Sequence, residues 1–285
     1  MFALFYNLYL LVTSVFRSLH KNKEFSFFQA TYGFLGFIFL SFFILNKNFS
    51  FKGAVYGTYA AYLVVFFIAL VMLRKYIKFN FDYFWLKKLI LYGVYATIAA
   101  ISSALLFNFS KIIINKFLSV TDVGIYSAYF FSSVGMATIL LSSFNVVFFS
   151  TASKYQGKYN IFKKINKIIP FFMFVGTIIF YILALIILKF YGKKYEINYF
   201  LAFEFVVASI LVTCYGLYDW LFASDEFGIK FGSFVNVLLA IINVFALYYL
   251  VPFLGLQGCA ISLVITYTVG ILIYMIKGQT FIANK

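Results

Sequence analysis

The stretch IIPFFMFVGTIIFYILALIIL, Ile168 to Leu188, contains no charged residue and is apolar on every face. A helix of that length is about 30 Å long, which is the thickness of the hydrocarbon layer of a bilayer. A membrane-crossing strand would alternate in polarity over about ten residues, so the run predicts a helix whose whole circumference meets lipid or other helices. Ser26 to Leu45 reads the same way. Extending outward, the same criterion predicts nine spans: Phe2 to Phe16, Ser26 to Leu45, Gly53 to Leu73, Leu89 to Phe109, Val123 to Phe149, Ile168 to Leu188, Tyr199 to Phe222, Phe231 to Leu250 and Gln257 to Ile276. The first is the shortest and contains Asn7. No basic residues precede it and no small-residue cleavage site follows it, so it reads as a span and not as a signal peptide.

Composition agrees with an all-α polytopic membrane bundle. Of 285 residues 65% are hydrophobic, 24% aromatic and only 11% charged, and the mean hydropathy is +0.99. A water-facing surface does not tolerate this. The net charge of +15 would suggest nucleic acid in a soluble protein. Here the lysines lie in the gaps between spans, where they set topology and meet anionic lipid headgroups, so nucleic acid is not expected as a partner. Arginine occurs only at Arg17 and Arg74 while Lys, Phe, Ile, Asn and Tyr abound, a bias that suggests an AT-rich, bacterial genome. Cys214 and Cys259 fall inside apolar runs and read as small packing residues. The single histidine is His20, and no nucleotide-binding loop, paired-cysteine motif or HExxH helix is present. No catalytic residue, metal or cofactor is therefore expected.

Alternate gaps carry unequal charge. Sixteen of the 23 basic residues follow odd-numbered spans and seven follow even-numbered ones. The positive-inside rule then places the N-terminus outside and the C-terminus in the cytoplasm. The two longest cytoplasmic links, Arg74 to Lys88 and Ser150 to Lys167, mix lysines with aromatics and read as interfacial segments. The first separates three spans from six.

Polar residues inside spans are the candidates for function, because each is costly in hydrocarbon unless it faces a cavity or another helix. On the fourth span Gly93, Thr97, Ala100, Ala104, Asn108, Lys111 and Asn115 recur at steps of three or four and share a face. On the fifth, Gly124, Ala128, Ser132, Gly135, Thr138, Ser142 and Asn145 do the same. Two such stripes could line a hydrated passage, or small residues could simply let helices approach while Lys111 reaches outward to the interface. Arg17 reads either as an interfacial anchor or as a cation at the inner mouth. Glu204 and Asp219, about 22 Å apart along one helix, read either as partners of nearby lysines or as coupling carboxylates.

Five stretches carry a resemblance to a known family: LKKLILYG (Leu86 to Gly93), SKIIINKFLSVTDVGIY (Ser110 to Tyr126), YGKKY (Tyr191 to Tyr195), ASDEFGIKF (Ala223 to Phe231), and Asn243 to Tyr267 with Pro252, Gly255, Gly258 and Ala260. In this order they resemble the C-terminal half of polysaccharide (O-antigen) flippases of the Wzx type, in the multidrug/oligosaccharidyl-lipid/polysaccharide exporter superfamily. Two features depart from that pattern: Ser110 stands where the family often has an acidic residue, and a proline near Phe149 is missing. The resemblance implies a MATE-like fold of two six-helix lobes. Residues 1–73 would be three helices of a first lobe, 74–88 an interlobe linker and 89–285 a complete second lobe, with about three N-terminal helices lacking. It further implies no enzyme chemistry but the flipping of isoprenoid-linked oligosaccharides across a bacterial inner membrane, for lipopolysaccharide or other surface polysaccharide. Membrane lipids and other polysaccharide-assembly proteins would be the partners. Lys111, Asn108, Asn115, Asn145 and Arg17 would meet the headgroup. The alternatives are an inactive truncated flippase, a surface-polysaccharide polymerase, which generally carries a long outer loop, and a cation-coupled drug exporter, which would want carboxylates in its first lobe.

Overall fold

The computed structural model describes residues 2–19, 21–45, 50–76, 82–154, 158–191, 196–224 and 226–283. They form helices α1 (Phe2–Ser18), α2 (Asn22–Leu45), α3 (Ser50–Leu73), α4 (Tyr83–Phe117), α5 (Val120–Phe130), a π-helical turn (Phe131–Gly135), α6 (Met136–Lys154), α7 (Lys158–Phe190), α8 (Tyr199–Ala223), α9 (Glu226–Leu254) and α10 (Leu256–Ala283). Because α5, the π turn and α6 run on without a break, nine rods are present among the described residues. Eight are long and apolar enough to cross a membrane, and α1, with its apolar stretch Phe5–Phe16, is shorter. The all-α multi-pass architecture expected from the sequence is the observed one.

The rods are longer than the apolar runs that announce them. α4 has 35 residues and α7 has 33, so Tyr83 to Lys88 and Lys158 to Lys167, read from sequence as interfacial links, are opening turns of transmembrane helices. Continuing the helix satisfies each backbone group within its own segment, while lysine stems lie along the apolar surface and carry their charge outward. The gap between the fourth and fifth spans, Ser110 to Asp122, is also mostly helix. α4 continues to Phe117, and Ser119 starts α5 with a capping box: its Oγ accepts from the Asp122 amide and the Asp122 carboxylate accepts from the Ser119 amide, both at 3.1 Å.

The chain divides into two compact units, Met1–Asp82 and Tyr83–Lys285. In the first, α3 lies against both α2 and α1. Three tyrosines knit it: Tyr32 and Tyr62 stack at 4.5 Å, the Tyr32 hydroxyl donates to that of Tyr62 at 2.9 Å, and buried Tyr9 packs on both rings. Beyond the apolar run Lys21 donates to the Tyr76 hydroxyl at 2.7 Å, which raises the lysine pKa above its usual value.

The second unit is built around α8, which touches α5, the π turn, α6, α7, α9 and α10. Sixteen of its 25 residues are buried. Small side chains such as Ala208, Ser209, Cys214 and Gly216 allow this crowding, as they do wherever membrane helices pack without a hydrophobic driving force. α4 sits at the edge, docked mainly on α9 and also on α5, and buries Ser102, Leu106, Ser110, Ile113 and Ile114. The α9–α10 hairpin turns at Gly255, whose φ of 59° is left-handed and whose amide donates to the Val251 carbonyl at 2.9 Å. Cys214 and Cys259 are buried and unbonded to each other.

Candidate functional site

Asp219 lies one turn from the C-terminal end of α8, inside a membrane-length helix. Its Oδ1 accepts from the Tyr274 hydroxyl of α10 at 2.8 Å and from Asn236 Nδ2 of α9 at 3.0 Å. Asn236 also donates to the Gly232 carbonyl at 2.9 Å. A Cβ on Gly232 would stand 3.2 Å from both the Asp219 carboxylate and the Tyr274 hydroxyl, so glycine leaves room for the cluster. Aromatic rings wall it in, with Phe222 at 4.9 Å and Tyr215 at 5.5 Å from the Tyr274 ring. One residue earlier the Tyr218 hydroxyl donates to Asn166 Oδ1 of α7 at 2.5 Å. The end of α8 is finished from outside: Tyr92 donates to the Ala223 carbonyl at 3.0 Å and Lys158 to the Ser224 carbonyl at 3.2 Å. Cations and donors at a helix C-terminus complement its exposed carbonyls.

The other carboxylate differs. Glu204, near the N-terminal end of α8, has its Oε2 buried without a hydrogen-bond partner. Asn145 Oδ1 on α6 and Asn243 Oδ1 on α9 share that condition, as do the hydroxyls of Tyr9, Ser110, Tyr126 and Tyr215, although Asn243 Nδ2 donates to Thr266 Oγ1 of α10 at 3.3 Å. Buried polar atoms are normally paired, so unpaired ones mark places that water or a ligand can complete.

The headgroup candidates are placed unevenly. Lys111 is partly exposed, with its Nζ 5.6 Å from the Phe131 ring centroid at the start of the π turn. Asn108 and Asn115 are exposed on the same helix, and Asn108 Nδ2 donates to its own Ala104 carbonyl at 2.9 Å. Asn145 is buried, fourteen residues beyond Phe131 and so about 21 Å further along the rod. It lies one turn past Leu141, which touches Gly216 of α8, and therefore at about the level of Asp219. The structure thus separates Lys111 and Asn108 from Asn145. Arg17 lies on α1, but its side chain is outside the described residues, as are His20 and the GKKY segment. On the first unit Asn7, Thr13, Ser14 and Gln29, with Leu10, Leu11 and Phe25, line a cleft of mixed polarity of about 540 Å3.

Sequence reading did not single out Asn236, Tyr274, Asn166 or Asn243. The available signal was Asn236 and Asn243, two asparagines seven residues apart on one face of a lipid-length helix.

A bundle of membrane-length helices with a hydrogen-bonded carboxylate in its interior defines a multi-pass membrane protein with a polar interior. The chain belongs to the polysaccharide biosynthesis protein family, whose pattern matches residues 3–214. Its fold is similar to that in a crystal structure of a MATE mutant, with a TM-score of 0.72 at 13% identity, over 97% of this chain and 66% of that one. The chain therefore spans just under two thirds of the length of that protein. No curated protein matches it.

Proposed function

We propose that this protein flips isoprenoid-linked oligosaccharides from the cytoplasmic to the outer leaflet of a bacterial inner membrane, supplying lipopolysaccharide O-antigen or another surface polysaccharide. The N-terminus is outside and the C-terminus cytoplasmic, the three-helix unit is part of a first lobe, and the unit from Tyr83 onward is the second. No bond is made or broken. The cargo carries a sugar and pyrophosphate headgroup through hydrocarbon, which calls for cationic and hydrogen-bonding side chains within the spans.

The observation that carries this reading is Lys111. It is a cation within a 35-residue apolar helix, partly exposed, held beside Phe131 and without a carboxylate partner among the described residues. Such a group is free to meet a phosphate. Asn108 and Asn115 flank it, while Asn145 and Arg17 are headgroup contacts nearer the cytoplasmic end. Asp219, with two donors already on one oxygen, is the coupling carboxylate that binds a proton or cation during the cycle, and Glu204 is a second candidate near the outer end. Expressing Lys111→Ala in cells that depend on this chain for surface polymer tests the reading. A loss of at least tenfold in polymer, with unchanged protein level, is expected. Undiminished polymer would remove Lys111 from the pathway.

A further inference from the structure

Three unpaired oxygens of the second unit come from three different helices: Ser110 Oγ on α4, Tyr126 Oη on α5 and Asn243 Oδ1 on α9. Each of these residues is 0% exposed. Ser110 and Tyr126 neighbour each other across the α4–α5 hairpin, close enough to interact but without a hydrogen bond of good geometry. The register of α4 and α9 brings the amide to the same region. Ser233 Oγ donates to the Tyr95 carbonyl at 2.7 Å near one end of the pair, and the Phe117 and Tyr248 rings meet at 5.4 Å near the other, so the two helices run the same way. Ser110 stands seven residues before Phe117 and Asn243 five before Tyr248, which puts them within about one turn of the same level. Their surroundings hold these groups in place. The Tyr126 ring packs on Phe130 at 5.5 Å and on Phe205 at 5.6 Å. Asn243 Nδ2 donates to Thr266 Oγ1 at 3.3 Å, and the Thr266 hydroxyl donates to the Ser262 carbonyl at 2.7 Å.

Donors and acceptors do not balance among these side chains alone. Two adjacent hydroxyls carry two hydrogens, of which only one can be spent between them. The other needs an acceptor. Asn243 Oδ1 needs a donor, and the Thr266 hydrogen is already placed on Ser262. The group that completes the set must therefore both accept and donate. It must also be neutral, because among the described residues no carboxylate bonds to Ser110, Tyr126, Asn243 or Thr266, and a cation there would be desolvated without a counter-charge. We propose that a water molecule is bound between Ser110, Tyr126 and Asn243, accepting from the spare hydroxyl and donating to the amide oxygen. A water in a polar site with three partners is well held, and a bridging water joins its partners nearly as well as a direct hydrogen bond. It ties the edge helix α4 to the α9–α10 hairpin. Ser110 precedes Lys111, so the water fixes the turn of α4 that carries this cation, whatever the protein transports.

Crystals of the full chain grown in a lipid mesophase, in sodium buffer and after exchange into thallium, test this. One peak is expected within about 2.7–3.2 Å of Asn243 Oδ1 and of at least one of the two hydroxyls, with no anomalous signal after exchange. A thallium peak at that place would overturn the proposal by making it a cation site. Direct hydrogen bonds joining the three oxygens, or no density between them, would overturn it too. Thermal unfolding in detergent supplies a second readout. Tyr126→Phe should lower the midpoint of the unaltered chain by about 2–4 °C, and should leave it unchanged or raise it in Asn243→Leu, where the water has already lost its acceptor. An equal fall in both backgrounds would mean that the hydroxyl and the amide do not share a water. The crystals need no variant, so the proposal stays open to refutation even if Asn243→Leu does not fold.

Discussion

Asp219 and Glu204 share α8, fifteen residues apart, and meet opposite surroundings. Asp219 reaches α9 and α10 and is met by Asn236 and Tyr274. Glu204 has a buried oxygen with no partner among the described residues. The same chemical group on one helix is a tie between helices in one place and carries an unpaired oxygen in another, according to what neighbouring helices bring to its level. A paired buried carboxylate is destabilising to remove, because its donors are left without an acceptor, whereas an unpaired one is a cost already carried by the fold.

Removing the Asp219 carboxylate should have the largest effect. Asp219→Leu strands Tyr274 Oη and one donor hydrogen of Asn236, and should lower stability by about 2–4 kcal/mol, read from unfolding in mixed detergent micelles. If it unfolds no more readily than Glu204→Leu, the contrast between the two carboxylates is broken. A smaller effect sharpens the geometry. Tyr274→Phe alone should cost about 1 kcal/mol, and its double-mutant cycle with Asp219→Leu should give a coupling of about 1 kcal/mol. Additive losses would mean that the 2.8 Å hydrogen bond contributes nothing specific. The smallest change belongs to Glu204→Leu, which relieves an unpaired group and should shift stability by less than about 0.5 kcal/mol or raise it. A loss as large as that from Asp219→Leu would show that Glu204 has a partner after all.

Much of the fold is legible in the sequence. Runs such as Ile168 to Leu188 are apolar on every side, and in hydrocarbon only a helix satisfies such a backbone. Helix ends were less legible, since α4 and α7 continue through lysine-bearing turns that look like loops when hydropathy is the guide. Helix faces were legible only in part. The stripe through Asn108 is regular, yet α4 buries Leu106 and Ser110, each two residues and so about 200° away from Asn108 around the helix. Periodicity shows that residues share a face and cannot tell which face is covered. The site was the least legible. Asp219 stood out as a charge in a span, but its partners lie 17 and 55 residues away along the chain.

By itself the amino-acid order determined that this chain lives in a bilayer, as nine apolar rods punctuated by lysine, because length and hydropathy settle the exchange between water and lipid one segment at a time. Which carboxylate is tied and which carries an unpaired oxygen depends on how the helices pack, and only the tertiary structure decided it. These properties belong to pairs and triplets of helices, and they are set by how closely small residues such as Gly216 and Gly232 let those helices approach.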